Sequence, residues 1–336
     1  MPFVPVQGMD EEHRSSTSGK GTQPVDEGTD RWTCPPAGPR RRPGRLGVGV
    51  VGAGRVGAVL GSALRAAGHA VLGVSAVSEA SRERADVLLP GVPVLDVPDV
   101  VRRAELVLLT VPDDVLPELV RGLAGTGAWQ PGQLVVHCSG RYGWDVLEPA
   151  VARGAIPLAL HPAMTFTGTS LDLTRLAGCC FGVTAPTTVL PIAQALVVEM
   201  GAEPVTVPQE SRPLYHAALA HGANHLVTLV AQSLDLLRSA GVEEPAGLLA
   251  PLLSAALDNA LRSGDGALTG PVSRGDAGTV RAHVEAVAGS GVPDALAAYR
   301  ALARVTADRA LASGRLRPPD AGPLLAALAE HGPVEP

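Results

Sequence analysis

From residue 46 onward the chain alternates short, nearly unbroken apolar runs with longer stretches in which apolar residues recur every three or four positions. Unbroken apolar runs suit strands buried on both faces, and such strands belong to parallel sheets covered by helices. The pattern predicts seven strands, at 46–51, 70–75, 106–110, 134–138, 156–160, 180–184 and 204–207. Between the last two, residues 187–200 have helical spacing and stop at Gly201, so the seventh strand is reached by a crossover. Beyond Pro208 the strand signal ceases, and Ala/Leu-rich segments of helical period follow at 209–240, 244–263, 277–288, 293–313 and 321–331. The expected architecture is α/β: a doubly wound, mostly parallel Rossmann sheet over 45–208, then an all-helical domain over 209–332. Residues 1–44 are rich in Ser, Thr, Gly, Pro and charge without apolar periodicity, the composition of a disordered tail.

The first strand runs into Gly52-Ala53-Gly54-Arg55-Val56-Gly57, which opens a helix continuing through Leu60 and Leu64. In that context the glycines serve a tight turn, a close approach of pyrophosphate to the backbone, and close packing of helix on strand. The free N–H groups and the helix dipole favour the anion. An NAD site would place Asp or Glu at the end of the second strand to hold the ribose hydroxyls, but Ser75 stands there. With Ser78, Arg82 and Arg84 just beyond, the loop suits the 2′-phosphate of NADP better than NAD. The plain alternative is that Arg82 and Arg84 face solvent. Open α/β sheets present the carboxyl ends of their strands to the ligand, which draws attention to Val111-Pro112, Cys138-Ser139-Gly140 and His161-Pro162.

Composition narrows the chemistry. Aromatic residues make up only 3% of the 336 and the net charge is −6, so neither a base-stacking platform nor a general field for nucleic acid is present. Lys20 is the only lysine and lies in the expected tail, so no lysine serves a folded site. Cys34, Cys138, Cys179 and Cys180 have neither zinc spacing nor a secreted disulfide framework, which suits a reducing cytoplasm. No run of about 18 apolar residues predicts a membrane span. His221 and His225 stand at i, i+4, but without a third ligand no metal site is expected.

The chain resembles the Rossmann-like proteins whose C-terminal part is domain of unknown function 2520. The resemblance covers about 45–330 and rests on the glycine turn, Cys138-Ser139-Gly140, His161-Pro162 with Thr165-Phe166, Tyr215-His216-Ala217-Ala218 with Asn224, and Thr269-Gly270-Pro271 with Arg274-Gly275-Asp276. In layout this family is similar to ketopantoate reductase, pyrroline-carboxylate reductase and the 6-phosphogluconate dehydrogenase relatives. The resemblance implies an NAD(P) cofactor, a small-molecule substrate and a homodimer through a helical domain of 6-phosphogluconate dehydrogenase C-terminal type. Some members resemble ketopantoate reductases, which makes 2-dehydropantoate the specific substrate expectation. Reduction of a cyclic imine and a non-catalytic NADPH sensor stand as alternatives.

The hydroxyacid dehydrogenases of the wider group carry Lys-x-x-x-Asn on their first long helix, whereas here Ala220 precedes Asn224 by four. Another group must then supply the proton that follows hydride, and histidine is matched to neutral pH. His216, at the family-pattern position, is the expected acid and Asn224 orients substrate; His161 is the rival acid beside the nicotinamide. Ser139 and Thr165 are expected at the substrate, and Arg274 is expected to hold its carboxylate. A structural turn with Arg274 paired to Asp276 or Asp265 is the competing account.

Overall fold

The computed structural model describes residues 45–329. The expected tail at 1–44, with Lys20 and Cys34, lies outside the described residues. In the first part strands and helices alternate: β1 (Gly47–Val51), α1 (Arg55–Ala66), β2 (Ala70–Ser75), α2 (Glu79–Leu88), α3 (Val97–Arg103), β3 (Leu106–Leu109), α4 (Leu116–Gly125), β4 (Leu134–His137), α5 (Glu148–Val151), β5 (Ile156–Pro162), α6 (Leu171–Leu176), β6 (Cys180–Thr184), α7 (Leu190–Glu199) and β7 (Glu203–Thr206). Helices follow: α8 (Arg212–Ser239), α9 (Pro245–Ser263), α10 (Pro271–Arg274), α11 (Ala277–Gly289), α12 (Ala295–Ala312) and α13 (Pro318–Leu328). The chain is thus a Rossmann-like, mostly parallel sheet followed by helices, as expected.

The strands form one sheet in the order β2-β1-β3-β4-β5-β6-β7. Strands β1 to β5 are parallel; β6 runs antiparallel to β5, and β7 parallel to β6. After β2 the chain crosses to the far side of β1, so the switch point lies between β1 and β3, with the N-terminus of α1 above it. Side chains of successive strand residues enter opposite layers. In β3, Leu106 and Leu108 join the core that includes Val50, Leu60 and Phe181, while Val107 and Leu109 join the one that includes Val120, Trp129 and Leu147. Both faces of the sheet are therefore covered, which is why its runs are apolar without alternation. A third core, around Val280, Ala307, Leu316 and Leu324, ties together α11, α12 and α13. Among the described residues no helix is long and apolar enough to cross a membrane.

Candidate functional site

The turn after β1 is built from both neighbouring strands. Gly52 adopts φ +96°, a conformation that favours glycine. Its N–H donates to the Ser75 hydroxyl at 3.0 Å, and the Ala53 N–H donates to the Ser75 carbonyl at 2.8 Å. The Thr110 hydroxyl donates to the Gly52 carbonyl at 2.6 Å. A side chain on Gly57 would run into that same carbonyl and hydroxyl, so only glycine fits there. Gly54, in contrast, has open space where a side chain would be; it caps α1 without a side-chain hydrogen bond, and the first turn, with Arg55 and Val56, carries no acid. Unpaired N–H groups, positive dipole and clear space are what a pyrophosphate requires, so these residues fit the dinucleotide.

The second-strand loop divides the expected 2′-phosphate residues. Ser75 is buried with its hydroxyl turned to Gly52, so it shapes the turn rather than facing the loop. Ser78 caps α2, accepting from the Ser81 N–H at 3.2 Å. Arg82 is exposed on α2, whereas Arg84 is half-buried and stands with Arg55 against Gly168. The segment carrying Gly168 is braced by the buried Asp172, which accepts from the N–H groups of Thr167 at 2.8 Å and Gly168 at 2.7 Å. It continues from Thr165, so one strap runs from the glycine turn to the cleft described next.

That cleft, of about 260 Å³, lies between the end of β5 and the start of α8. One wall is His161, Pro162, Ala163, Met164 and Thr165; the other is His216, Leu219, Ala220, Ala223 and Asn224. On a helix, positions 216, 220, 223 and 224 share a face, which explains why His216 and Asn224 point together and His221 does not. The two imidazoles meet edge to face, their centroids 5.8 Å apart. Strand β5 extends through Pro162, so His161 is paired within the sheet opposite Gly182 instead of following the strand. A side chain on Gly140 would lie 2.7 Å from His216 Cδ2 and 2.9 Å from His161 Nε2, so this glycine keeps the gap between the rings open.

Behind the cleft lies a buried polar layer. His161 Nδ1 is 2.9 Å from the Tyr215 hydroxyl. Arg212 is fully buried, donates from Nη2 to the Ala159 carbonyl at 3.0 Å, and leaves Nε and Nη1 without partners. Burial pushes its pKa down to about 10. Burial, with the charges of Arg212 and His216, lowers His161 to about 4, so the ring is neutral at physiological pH. His137 is buried too: Nδ1 accepts from the Ser139 N–H at 3.2 Å, Nε2 lies 2.9 Å from the Gly143 carbonyl, and burial drives the pKa to about 3. Burial raises the Cys138 thiol to about 12, so it is no nucleophile.

Of the remaining expected residues, Val111 and Pro112 follow β3 at the same sheet edge. The Ser139 hydroxyl accepts from the Arg141 and Tyr142 N–H groups, both at 3.2 Å, and so closes the turn after β4. Arg274 is not brought to the cleft of a single chain. It is exposed on α10, whose Val272 packs beside Leu229, Ser233 and Leu236 of α8, on the order of 20 Å along that helix from the cleft. Asp265 is paired with Arg309, not Arg274. His221 and His225 are exposed, and among the described residues no three ligating side chains gather for a metal. Sequence reasoning missed Arg212, Tyr215, His137 and Thr110. A tyrosine directly before the expected acid and a threonine closing a strand were the signals available.

A model of the Rossmann-like domain matches residues 32–162, and one of the domain of unknown function DUF2520 matches 179–306. No protein of curated function matches the chain. Among solved structures, a Bacteroides fragilis protein provisionally named an NADP oxidoreductase is 22% identical, covering 79% of this chain and 98% of its own, with a TM-score of 0.66. An imine reductase from Myxococcus stipitatus in complex with NADP+ is 17% identical, covering 80% and 95%, with a TM-score of 0.60. A reductive aminase from Aspergillus terreus in complex with NADPH and ethyl-5-oxohexanoate is 19% identical, covering 81% and 95%, also with a TM-score of 0.60. At such identities the likeness speaks to the fold. Because the two family models together take in most of the chain, it belongs to the family of Rossmann-like proteins that carry DUF2520.

Proposed function

We propose that the chain is an NADP-dependent reductase of a small carbonyl compound, a 2-oxo acid, with 2-dehydropantoate the first substrate to test. One observation carries this: a cleft with two imidazoles and an asparagine, and no carboxylate in its lining, opens at the carboxyl end of β5. A polarised carbonyl gathers negative charge on oxygen as hydride arrives, and hydrogen-bond donors stabilise it. A cationic iminium would call for acidic groups, which this lining lacks. The NADP-bound relatives in the same fold support the cofactor, and the absence of an acid at Ser75 agrees with them.

When bound, the reduced nicotinamide supplies hydride. The turn at Gly52, Ala53, Gly54, Arg55, Val56 and Gly57 holds the pyrophosphate, Val111 and Pro112 line the path between, and Arg84 with Arg55 takes over most of the 2′-phosphate role expected of Ser75 and Arg82. Cys138 supports that path from the core, where it packs with Leu60 and Phe181, instead of lining it as expected. His216 gives the proton to the nascent alkoxide, Asn224 orients the substrate, His161 faces its oxygen, and Thr165 borders it.

The active form we propose is a homodimer. Leu226, Val227 and Leu229 on α8 and Leu248, Leu252, Leu257 and Leu261 on α9 are all at least 40% exposed. Leaving them in water forgoes about 1.5–3 kcal/mol per side chain. Arg274 keeps its carboxylate-holding role only if the second copy supplies it. Free thiols at Cys138, Cys179 and Cys180 suit a cytoplasmic setting.

The test is to follow nicotinamide absorbance with NADPH and a panel of 2-oxo acids and cyclic imines. Turnover of an oxo acid is expected; turnover of imines alone overturns the substrate class, and tight NADPH binding without any turnover turns the protein into a sensor. Mixing His216→Ala with Arg274→Ala chains is expected to restore activity that neither has alone, because a mixed dimer contains one intact site. Failure to restore it removes Arg274.

A further inference from the structure

Tyr215, Arg212 and the second nitrogen of His161 make up the buried layer behind the cleft, and the proposed reaction gives none of the three a role. We infer that Tyr215, backed by the buried Arg212, locks His161 in the tautomer with hydrogen on Nε2, making that ring edge a hydrogen-bond donor to the substrate's carbonyl oxygen. The inference rests on the carbonyl-reductase reading above and adds to it a positioning residue.

The geometry leaves two arrangements of the 2.9 Å contact between His161 Nδ1 and the Tyr215 hydroxyl. Either the phenol donates to a bare Nδ1, or Nδ1–H donates to the phenol oxygen. The first puts the remaining hydrogen on Nε2, the edge that the missing side chain of Gly140 leaves open beside His216. The second would put a lone pair there, facing the substrate's oxygen, and repel it.

Three features favour the first. A side chain on Gly182 would come within 2.5 Å of the Tyr215 oxygen, so the phenol is seated against this strand, and among the described residues His161 is its only hydrogen-bond partner; a phenol that merely accepted there would leave its own hydrogen without an acceptor. The Arg212 guanidinium lies 5.8 Å from the centre of the Tyr215 ring and, among the described residues, has no carboxylate partner; burial raises the phenol's pKa, and this positive charge works against that rise by stabilising negative charge on the oxygen, which favours the O–H as donor. The same charge penalises a second proton on His161, so the ring stays neutral and does not compete with His216 for the role of acid. A neutral imidazole N–H cannot be titrated away near neutrality, which makes it a constant polarising group while His216 moves the proton.

No covalent change occurs at Tyr215 or Arg212 in this scheme. The electron pair of the carbonyl π bond goes to oxygen as hydride reaches carbon. His161 Nε2–H stabilises that oxygen throughout, and the proton that completes the alcohol comes from His216.

The deciding experiment is nitrogen-15 NMR of the histidine ring nitrogens in the full-length wild-type protein at pH 7, with the His161 signals identified by their absence from His161→Gln. A hydrogen on Nε2 and a bare, hydrogen-bonded Nδ1 are expected, persisting to pH 5; a hydrogen on Nδ1 overturns the inference. This result does not depend on any substrate, so it stands apart from the outcome of the substrate panel. In Tyr215→Phe, the lock is gone and His161 is expected to become a mixture of tautomers. With an active oxo acid, kcat and kcat/KM are expected to fall together by about 10- to 100-fold while NADPH affinity holds. A Tyr215→Phe protein that keeps the single Nε2–H tautomer and full kcat would assign the lock to something other than Tyr215.

Discussion

The sheet and the first two long helices of the C-terminal part follow opposite rules of burial. In β1 and β3 every residue is buried, with each side of the sheet closed by the chain's own helices. In α8, 28 residues long, only Arg212 is buried, and in α9, of 19 residues, only Pro245. Yet α9 is at least as rich in leucine as the sheet strands. Apolar content alone does not decide what is inside; a partner surface does, and the chain supplies one for the sheet but not for α9. The sheet is closed by the chain itself, whereas the apolar side chains of α8 and α9 are left exposed in the single chain.

The largest effect expected of breaking this contrast is therefore on assembly. Leu248→Glu with Leu252→Glu places two charges on one open face of α9. If that face pairs with a second copy, losing two buried leucines weakens the dimer by about 3–6 kcal/mol, on the order of 10²- to 10⁴-fold. Light scattering at micromolar concentration is expected to show monomer for the variant and dimer for the parent, with NADPH binding retained because the glycine turn is far from α9 in sequence and lies wholly in the sheet part. A variant that remains dimeric would move the interface elsewhere.

Next in size is an attack on the self-contained side. Gly57→Ala pushes a methyl group into the Gly52 carbonyl and the Thr110 hydroxyl, neither of which can move without disturbing β1 or β3. Overpacking of this kind costs about 1–3 kcal/mol, so NADPH should bind roughly 10- to 100-fold more weakly in a fluorescence titration. Gly54→Ala, at a position with open space, should leave folding stability unchanged and weaken only the cofactor. Equal stability losses in the two variants would show that the turn is not held as described.

How much of this was legible in the sequence follows the same division. Strands β1, β3 and β4 stand out because each is buried throughout, and burial on both faces imposes an apolar run whatever lies next to it; the edge strand β7 is mostly exposed and was legible only from the crossover helix before it. The antiparallel direction of β6 leaves no such trace, since Cys180–Thr184 would read the same in either direction. His216 and Asn224 could be placed together because helix periodicity is local. Tyr215 and Arg212 could not be placed behind the cleft, because their roles come from β5 and β6, which reach them only through the tertiary fold. Arg274 is the reverse case: a motif suggested a site residue, and the single chain leaves it far along α8 from the cleft.

A smaller effect should appear on acidification, at the sheet's carboxyl edge. His137 and His161 both have pKa values depressed by burial, to about 3 and about 4, while in the unfolded chain each titrates near 6.5. The unfolded state therefore binds more protons below about pH 6.5. Stability is full above that pH and declines as the pH falls toward 4 and then 3. Near pH 5 the loss from His137 is roughly 1–2 kcal/mol. Replacing it by Asn removes the titrating group, so the slope of Tm against pH between 6.5 and 4.5 should flatten even if Tm itself drops. An unchanged slope would mean that His137 is not the buried neutral ring its contacts with Ser139 and Gly143 describe.

The smallest expected effect concerns the strap that joins the glycine turn to the cleft. Arg82 and Arg84 look equivalent along the chain, but α2 turns them by about 200° relative to each other, so both cannot face the cofactor. Arg84 is the one against Gly168 and Arg55, at the N-terminal end of α1, while Arg82 is exposed. A guanidinium beside a 2′-phosphate contributes a charge-assisted hydrogen bond that NAD cannot use, worth about 1.5 kcal/mol, or roughly tenfold. Arg84→Ala should therefore lower the preference for NADPH over NADH by about that factor through the NADPH term alone, with NADH affinity unchanged, and Arg82→Ala should leave the ratio where it was. If the ratio responds to Arg82 and not to Arg84, the strap and Arg84 do not form the 2′-phosphate site, and specificity would have to come from the exposed face of α2 instead.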